Sequence, residues 1–226
     1  NNIMFLAADS LKQTNIDEMI MSISTRLSVL YEAKRVPFDQ LHLLATNNEY
    51  HWCSHHFQGE IRRAENALPL FNMIVLDIDG TMPLNVAQDL LKQYRAFFYT
   101  TKSHTEEVHR YRIILPINYE VEMDREEYNA CMDAVLQTLP FECDPATKDI
   151  ARKWMCNEGE YYYQEGELFD ILPFIPNTSR SDERQQAFQN QSDLDNLERW
   201  VLNHTGSGNR NDQIYKYAMV LADAGK

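Results

Sequence analysis

Phe71-Asn72-Met73-Ile74-Val75-Leu76-Asp77-Ile78-Asp79-Gly80-Thr81 decides how this chain is read. Phe71 to Ile78 is apolar and rich in β-formers, which predicts a buried strand. Residues i and i+2 of a strand point to one face, so Asp77 and Asp79 stand side by side at its end. Two carboxylates so placed repel each other, and they stay ionised together when cations sit between them. The plain alternative is an Asp-Gly turn closing the strand. The fully apolar run ahead of the pair favours metal binding, although the pair alone names no reaction.

Outward from this strand, Asn85 to Tyr94 reads as a helix, and Ala96–Thr101 and Tyr111–Ile117 as further strands around a polar loop, Lys102 to His109. Asp124–Leu139 reads as a helix, capped by Asp124 with Glu127 three residues on. Arg152–Cys156 and Glu160–Tyr163 are expected to pair as short strands, and Gln164-Glu165-Gly166-Glu167 to turn the chain. On the N-terminal side, Ile16, Met19, Ile20, Ile23, Leu27 and Leu30 recur at helical spacing, which predicts a helix over Asn15–Ala33. Leu41, Leu43 and Leu44 suggest a short strand. Beyond Pro176 a polar stretch reads as a linker to two more helices, Leu194–Asn203 and Asp212–Ala224.

The 226 residues suit one large domain, or one domain plus a fragment of a second. At 44% apolar and 11% aromatic the chain can bury a proper core. No apolar run is long enough to span a membrane. Cys53, Cys131, Cys143 and Cys156 are scattered without a Cys-x-x-Cys pair, which fits a reducing cytoplasm. A net charge of −13 argues against a broad nucleic-acid-coating surface, but not against a local groove. It implies modest, strongly salt-sensitive affinity for bare DNA. The chain starts at Asn and stops just after an apparent helix, so a piece of a longer protein is expected.

Two further groups carry chemistry. Arg110 and Arg112 repeat the i, i+2 spacing, and their planar forks of donors suit a polyphosphate as well as a solvent-facing strand edge. Lys102, Ser103, His104 and His109 lie in the loop before them. Asp144 is followed by Pro145, Lys148, Asp149, Arg152 and Lys153. It reads either as a third metal ligand with phosphate-neutralising bases or as an ordinary helix cap. Together these give three carboxylates for two ions and a basic set for phosphates, the equipment of nucleotidyl transfer.

With these residues the sequence resembles the catalytic domain of archaeo-eukaryotic-type primases, in particular phage- and plasmid-encoded primase-polymerases. Asp77-Ile78-Asp79 matches that family's acid-x-acid motif. Thr100-Thr101-Lys102-Ser103-His104, leading into His109-Arg110-Tyr111-Arg112, approximates its histidine motif, although the strict Ser-x-His is absent. Asp144 and Arg152 match its third acid and following arginine. Gly208-Asn209-Arg210-Asn211 and the residues after it resemble the small helical domain that often follows the catalytic domain. The resemblance implies an α+β catalytic domain over residues 1–175. Its mostly antiparallel sheet, arranged like an RNA-recognition motif, would carry Asp77, Asp79, Arg110 and Arg112 on one face and helices on the other. An N-terminal αβ unit would come from residues 1–70, followed by a linker over 176–193 and the start of a helical domain at 194–226. It also implies Asp77, Asp79 and Asp144 as ligands of two Mg²⁺ or Mn²⁺ ions. Arg110, Arg112, Arg152 and one of His104 or His109 would hold a nucleoside triphosphate. Lys102, Lys148 and Lys153 are further phosphate or DNA contacts. The implied partners are a single-stranded DNA template, nucleoside triphosphates and a helicase domain beyond the C-terminus, in a host-cell cytoplasm.

Two rivals stand against this. Asp-x-Asp-Gly-Thr after an apolar strand also resembles haloacid-dehalogenase-like phosphatases, with Asp77 as nucleophile and Asp79 as acid/base. About seventy residues precede the motif, however, and Arg110, Arg112 and Arg152 would have no task there. The second rival is a non-catalytic replication-initiation or adaptor module that binds DNA. His51, Cys53, His55 and His56 contain zinc-type ligands without a second cluster, so a metal-free loop is the better reading. Trp52, His55, Arg62 and Arg63 are candidates for stacking and charge contacts to a template strand.

Overall fold

The computed structural model describes residues 12–176. Residues 13–169 form one compact unit, and the other described residues fall to a second unit, whose only described element is a 3-10 turn at Leu172–Phe174. The expected linker and the two C-terminal helices, with Gly208 to Asn211, lie outside the described residues.

The unit is α+β and holds two four-stranded sheets in which every strand pairing is antiparallel. The first contains β1 (Met19–Ser24), β2 (Glu32–Val36), β3 (His51–Cys53) and β7 (Trp154–Met155), in the order β2-β1-β3-β7. The second contains β4 (Leu70–Asp79), β5 (Ala96–Thr100), β6 (Arg110–Glu122) and β8 (Tyr161–Gln164), in the order β4-β6-β5-β8. Three helices complete it: α1 (Leu41–Ala45), α2 (Leu84–Leu90) and α3 (Arg125–Thr138).

The helix expected over Asn15–Ala33 is instead the β1–β2 hairpin. Met19, Ile20 and Met21 are all buried, so β1 is covered on both faces. A strand covered on both faces shows a continuous apolar run, which mimics helical spacing. Leu27 and Leu30 lie at the tip and are 71% and 61% exposed, so they never belonged to a buried stripe. The strand expected at Leu41–Leu44 is α1, with Leu41 and Ala45, four apart, buried. β7 and β8 do not pair with each other: β7 joins β3 and β8 joins β5.

Three strands of the second sheet, β4, β5 and β6, form where the sequence indicates. In β4 the residues Met73, Val75, Asp77 and Asp79 share one face, opposite Pro116, Ile114, Arg112 and Arg110 of β6. Phe97 and Tyr99 of β5 and Tyr163 of β8 extend that face. Its apolar part packs with Met19, Met21, Trp52 and Trp154 of the first sheet in one core. That face is thus mostly covered by the first sheet, while its Asp79 end and Tyr161 of β8 reach solvent. Buried Asn72 ties the sheets together. Its side-chain oxygen accepts from Ile20 N–H at 2.9 Å, and its amide donates to the Glu18 carbonyl at 2.9 Å. The capping box of α3 forms as read: Asp124 Oδ1 accepts from Glu127 N–H at 2.9 Å, and the Glu127 side chain accepts from Asp124 N–H at 3.1 Å.

Candidate functional site

At the open end of the shared face, Asp77, Asp79, Asp144, Arg110, Arg112 and Arg152 line a cleft of about 360 Å³ together with Lys102 and Ser103. β4 delivers the two aspartates in register with β6: Asp77 lies opposite Arg112, and Asp79 opposite Arg110. Gly80 ends the strand at φ +84°, a conformation that favours glycine, and its N–H donates to the His109 carbonyl at 3.0 Å. Asp144 arrives from the far side of α3. Its backbone N–H donates to the Asp77 carbonyl at 2.9 Å, and its Oδ1 caps the 3-10 turn Pro145–Lys148 through Ala146 N–H. The metal-ligand and cap readings of Asp144 therefore fall on different oxygens, because Oδ2 faces the cleft-lining Arg152.

The carboxylates are turned onto guanidiniums. Asp77 stands between two of them, with Arg112 Nε 3.3 Å from Oδ1 and Arg152 Nη2 3.5 Å from Oδ2. Arg152 Nη2 also donates to Asp144 Oδ2 at 3.0 Å, and Arg110 Nη1 lies 2.7 Å from Asp79 Oδ1. Among the described residues no three His, Cys, Asp or Glu side chains converge as a ready metal cage. The three carboxylates that line the cleft are hard oxygen donors, the kind a divalent cation takes.

The arginines are not equivalent. Arg112 is 9% exposed and gives its Nη1 to the Met155 carbonyl at 2.6 Å and to the Tyr99 hydroxyl at 3.2 Å. Burial works against its charge, but Tyr99 and Asp77 outweigh burial and hold it firmly protonated. Arg112 thus works mainly as an internal counter-ion. Arg152 is one-third exposed at the cleft wall. The Trp154 ring underlies both, with Arg112 Cζ at 5.3 Å and Arg152 Cζ at 5.5 Å from its centroid. Cys156, also on the wall, is pushed up to about 12 by burial, against the pull of Arg112. Cys143 reaches about 12 through burial and then the carboxylates of Asp77 and Asp144. Both thiols stay protonated at neutral pH, so neither supplies a thiolate.

The remaining candidates scatter. His104 and His109 do not line the cleft; their rings meet edge to face at 5.2 Å. His104 Nδ1 accepts from Arg110 N–H at 3.0 Å, and His109 Nδ1 accepts from Leu84 N–H at 3.0 Å. Both rings therefore carry their proton on Nε2 and brace the loop and the start of α2. Lys148 pairs with Asp133 of α3 at 2.9 Å, and Lys153 is not among the cleft residues. Thr101, Met155, Cys156 and Asn157 complete the lining. No spacing rule links them to the acids, since β7 brings residues 155–157 in from the other sheet.

The histidine-rich run has separate tasks. His51 Nδ1 contacts the Ser24 carbonyl at 2.8 Å, and the buried Cys53 thiol is pushed up by burial. His55 lies between the rings of Phe71 and Tyr128, at 5.3 and 4.8 Å, and burial lowers it to about 3. Trp52 and His55 are fully buried, so the expected template contacts do not come from them. Arg62 donates to the Leu27 and Ala151 carbonyls.

The structure thus defines an α+β domain of two antiparallel sheets with an acid–arginine cleft at their shared rim. A family model described as the VapE N-terminal domain matches residues 54–167, and the chain belongs to that family. It is accordingly a replication-associated domain of the phage and plasmid VapE-like kind. No curated protein and no solved structure matches the chain. Among the described residues no helix is long and apolar enough to cross a membrane.

Proposed function

We propose that this domain is a primase-polymerase that makes primers on single-stranded DNA by two-metal-ion nucleotidyl transfer within a phage or plasmid replication protein. The observation that carries the reading is the hydrogen bond from Asp144 N–H to the Asp77 carbonyl, which brings the third acid of the motif set beside the first. In this reading Asp77, Asp79 and Asp144 hold the divalent ions. When bound, those ions supply activation of a 3′-hydroxyl and neutralisation of the leaving pyrophosphate. Arg110, Arg152 and Lys102 face the cleft and orient the triphosphate, while Arg112 fixes the Asp77 carboxylate from behind. A cleft of about 360 Å³ lies within the range of small-molecule sites. His104 and His109 support this set indirectly, by holding the backbone of Arg110 and the start of α2.

A helicase is the proposed partner. The test is incubation with a single-stranded template, Mg²⁺ or Mn²⁺ and nucleotides. Templated products are expected. Phosphate release from a small phosphoester indicates the phosphatase, and retained DNA binding with neither activity indicates the adaptor.

A further inference from the structure

We propose that Arg152 is a displaceable latch on the acid pair: it occupies the place of a cation between Asp77 and Asp144, and must leave before a divalent ion can bind there. This rests on the reading that these acids are metal ligands. Its Nη2 lies 3.0 Å from Asp144 Oδ2 and 3.5 Å from Asp77 Oδ2, within hydrogen-bond reach of both acids. A guanidinium and a metal ion cannot share those oxygens. Arg112 cannot serve as the latch, because the Met155 carbonyl and the Tyr99 hydroxyl hold its Nη1 inside. The Arg152 side chain bonds to the two acids alone among the described residues. Its side chain is one-third exposed at the cleft wall, and its guanidinium lies over the Trp154 face at 5.5 Å. A π face holds a cation without fixing its direction, so the arginine can slide from acid to cleft while keeping that contact.

The consequence is a coupling between metal and polyphosphate. An ion arriving alone strips Arg152 of its acids and leaves a cation without an anion at the wall. An ion arriving with a polyphosphate replaces the lost partner at the same time. Metal and anionic substrate therefore favour each other's binding, reciprocally, and the unloaded site resists stray cations.

The test is titration of the full 226-residue chain with Mn²⁺ alone, following the free-ion electron paramagnetic resonance signal. Four forms are compared: wild type, Arg152→Gln, Lys102→Gln and Asp77→Asn. Lys102→Gln removes the same charge from the same cleft without touching the acid pair, so it measures the general field. The latch predicts about tenfold tighter Mn²⁺ binding for Arg152→Gln, and a change within about twofold for Lys102→Gln. Arg152→Lys keeps the charge but not the fork, and is expected between wild type and Arg152→Gln. Equal gains from Arg152→Gln and Lys102→Gln overturn the latch while leaving the metal ligands intact. Equal binding by Asp77→Asn and wild type overturns the ligand assignment itself. Failure of every form to bind removes both. Melting curves of each variant show that the fold is retained.

Discussion

Asp144 reaches Asp77 through its main chain: its N–H donates to the Asp77 carbonyl at 2.9 Å. The closeness of these two acids therefore does not depend on any side-chain rotamer. Exchanging either carboxylate for an amide removes charge while leaving the backbone bond in place.

Asp77→Asn is accordingly expected to abolish templated synthesis with the fold retained. Arg112 then loses a counter-ion at a buried position, which costs about 1–3 kcal/mol of stability. Primer-extension gels read the first effect and urea unfolding the second. Normal product yield from this variant excludes Asp77 from the chemistry.

Arg112→Met tests the division of labour among the arginines. It removes the donor to the Met155 carbonyl and the Tyr99 hydroxyl, leaves these two a 3.4 Å bond to each other, and takes one of the two guanidiniums from Asp77. A loss of about 2–4 kcal/mol is expected. Arg110→Met breaks an ion pair with the exposed Asp79, so its effect on stability is expected within about 1 kcal/mol. Comparing the two urea midpoints separates the internal counter-ion from the cleft residue.

His55 sets an acid-side stability limit. Burial lowers it to about 3, below the ordinary histidine value near 6.5 in the unfolded chain. The unfolded state therefore binds the extra proton first. The stabilisation is complete above about pH 6.5 and is lost as pH falls toward 3, by up to about 1.4 kcal/mol per pH unit. His55→Phe, placed between Phe71 and Tyr128, is expected to flatten that slope. Urea midpoints at pH 4, 5, 6 and 7 measure it, and an unchanged slope refutes the assignment to His55.

Asp124→Ala removes the side-chain half of the α3 capping box, the acceptor for Glu126 and Glu127 N–H, and leaves the bond from the residue-124 N–H to Glu127. It is expected to cost about 1 kcal/mol, read as a lowered melting temperature.

What was legible in the sequence was what is local. The Phe71–Ile78 run announced β4, and Asp124 with Glu127 announced the start of α3, because a strand's apolar face and a helix cap are each written within a few residues. The hairpin of β1 and β2 was hidden because Met19, Ile20 and Ile23 fit a helical stripe as well as a strand covered on both sides. The partners of β7 and β8 could not be read, since strand pairing is chosen by distant chain. For the same reason nothing in the sequence said that the His109 ring would cap α2, that Arg112 would be interior, or that Trp154 would lie beneath two guanidiniums.

Trp154 belongs by strand to one sheet, and the carboxylates Asp77 and Asp79 belong to the other. The cleft therefore does not exist in either half alone. A chain with only its second sheet formed keeps Arg110 and Arg112 opposite the acids but lacks the wall of Met155, Cys156 and Asn157. The cleft therefore forms only when both sheets are in place, and damage that parts them takes it away.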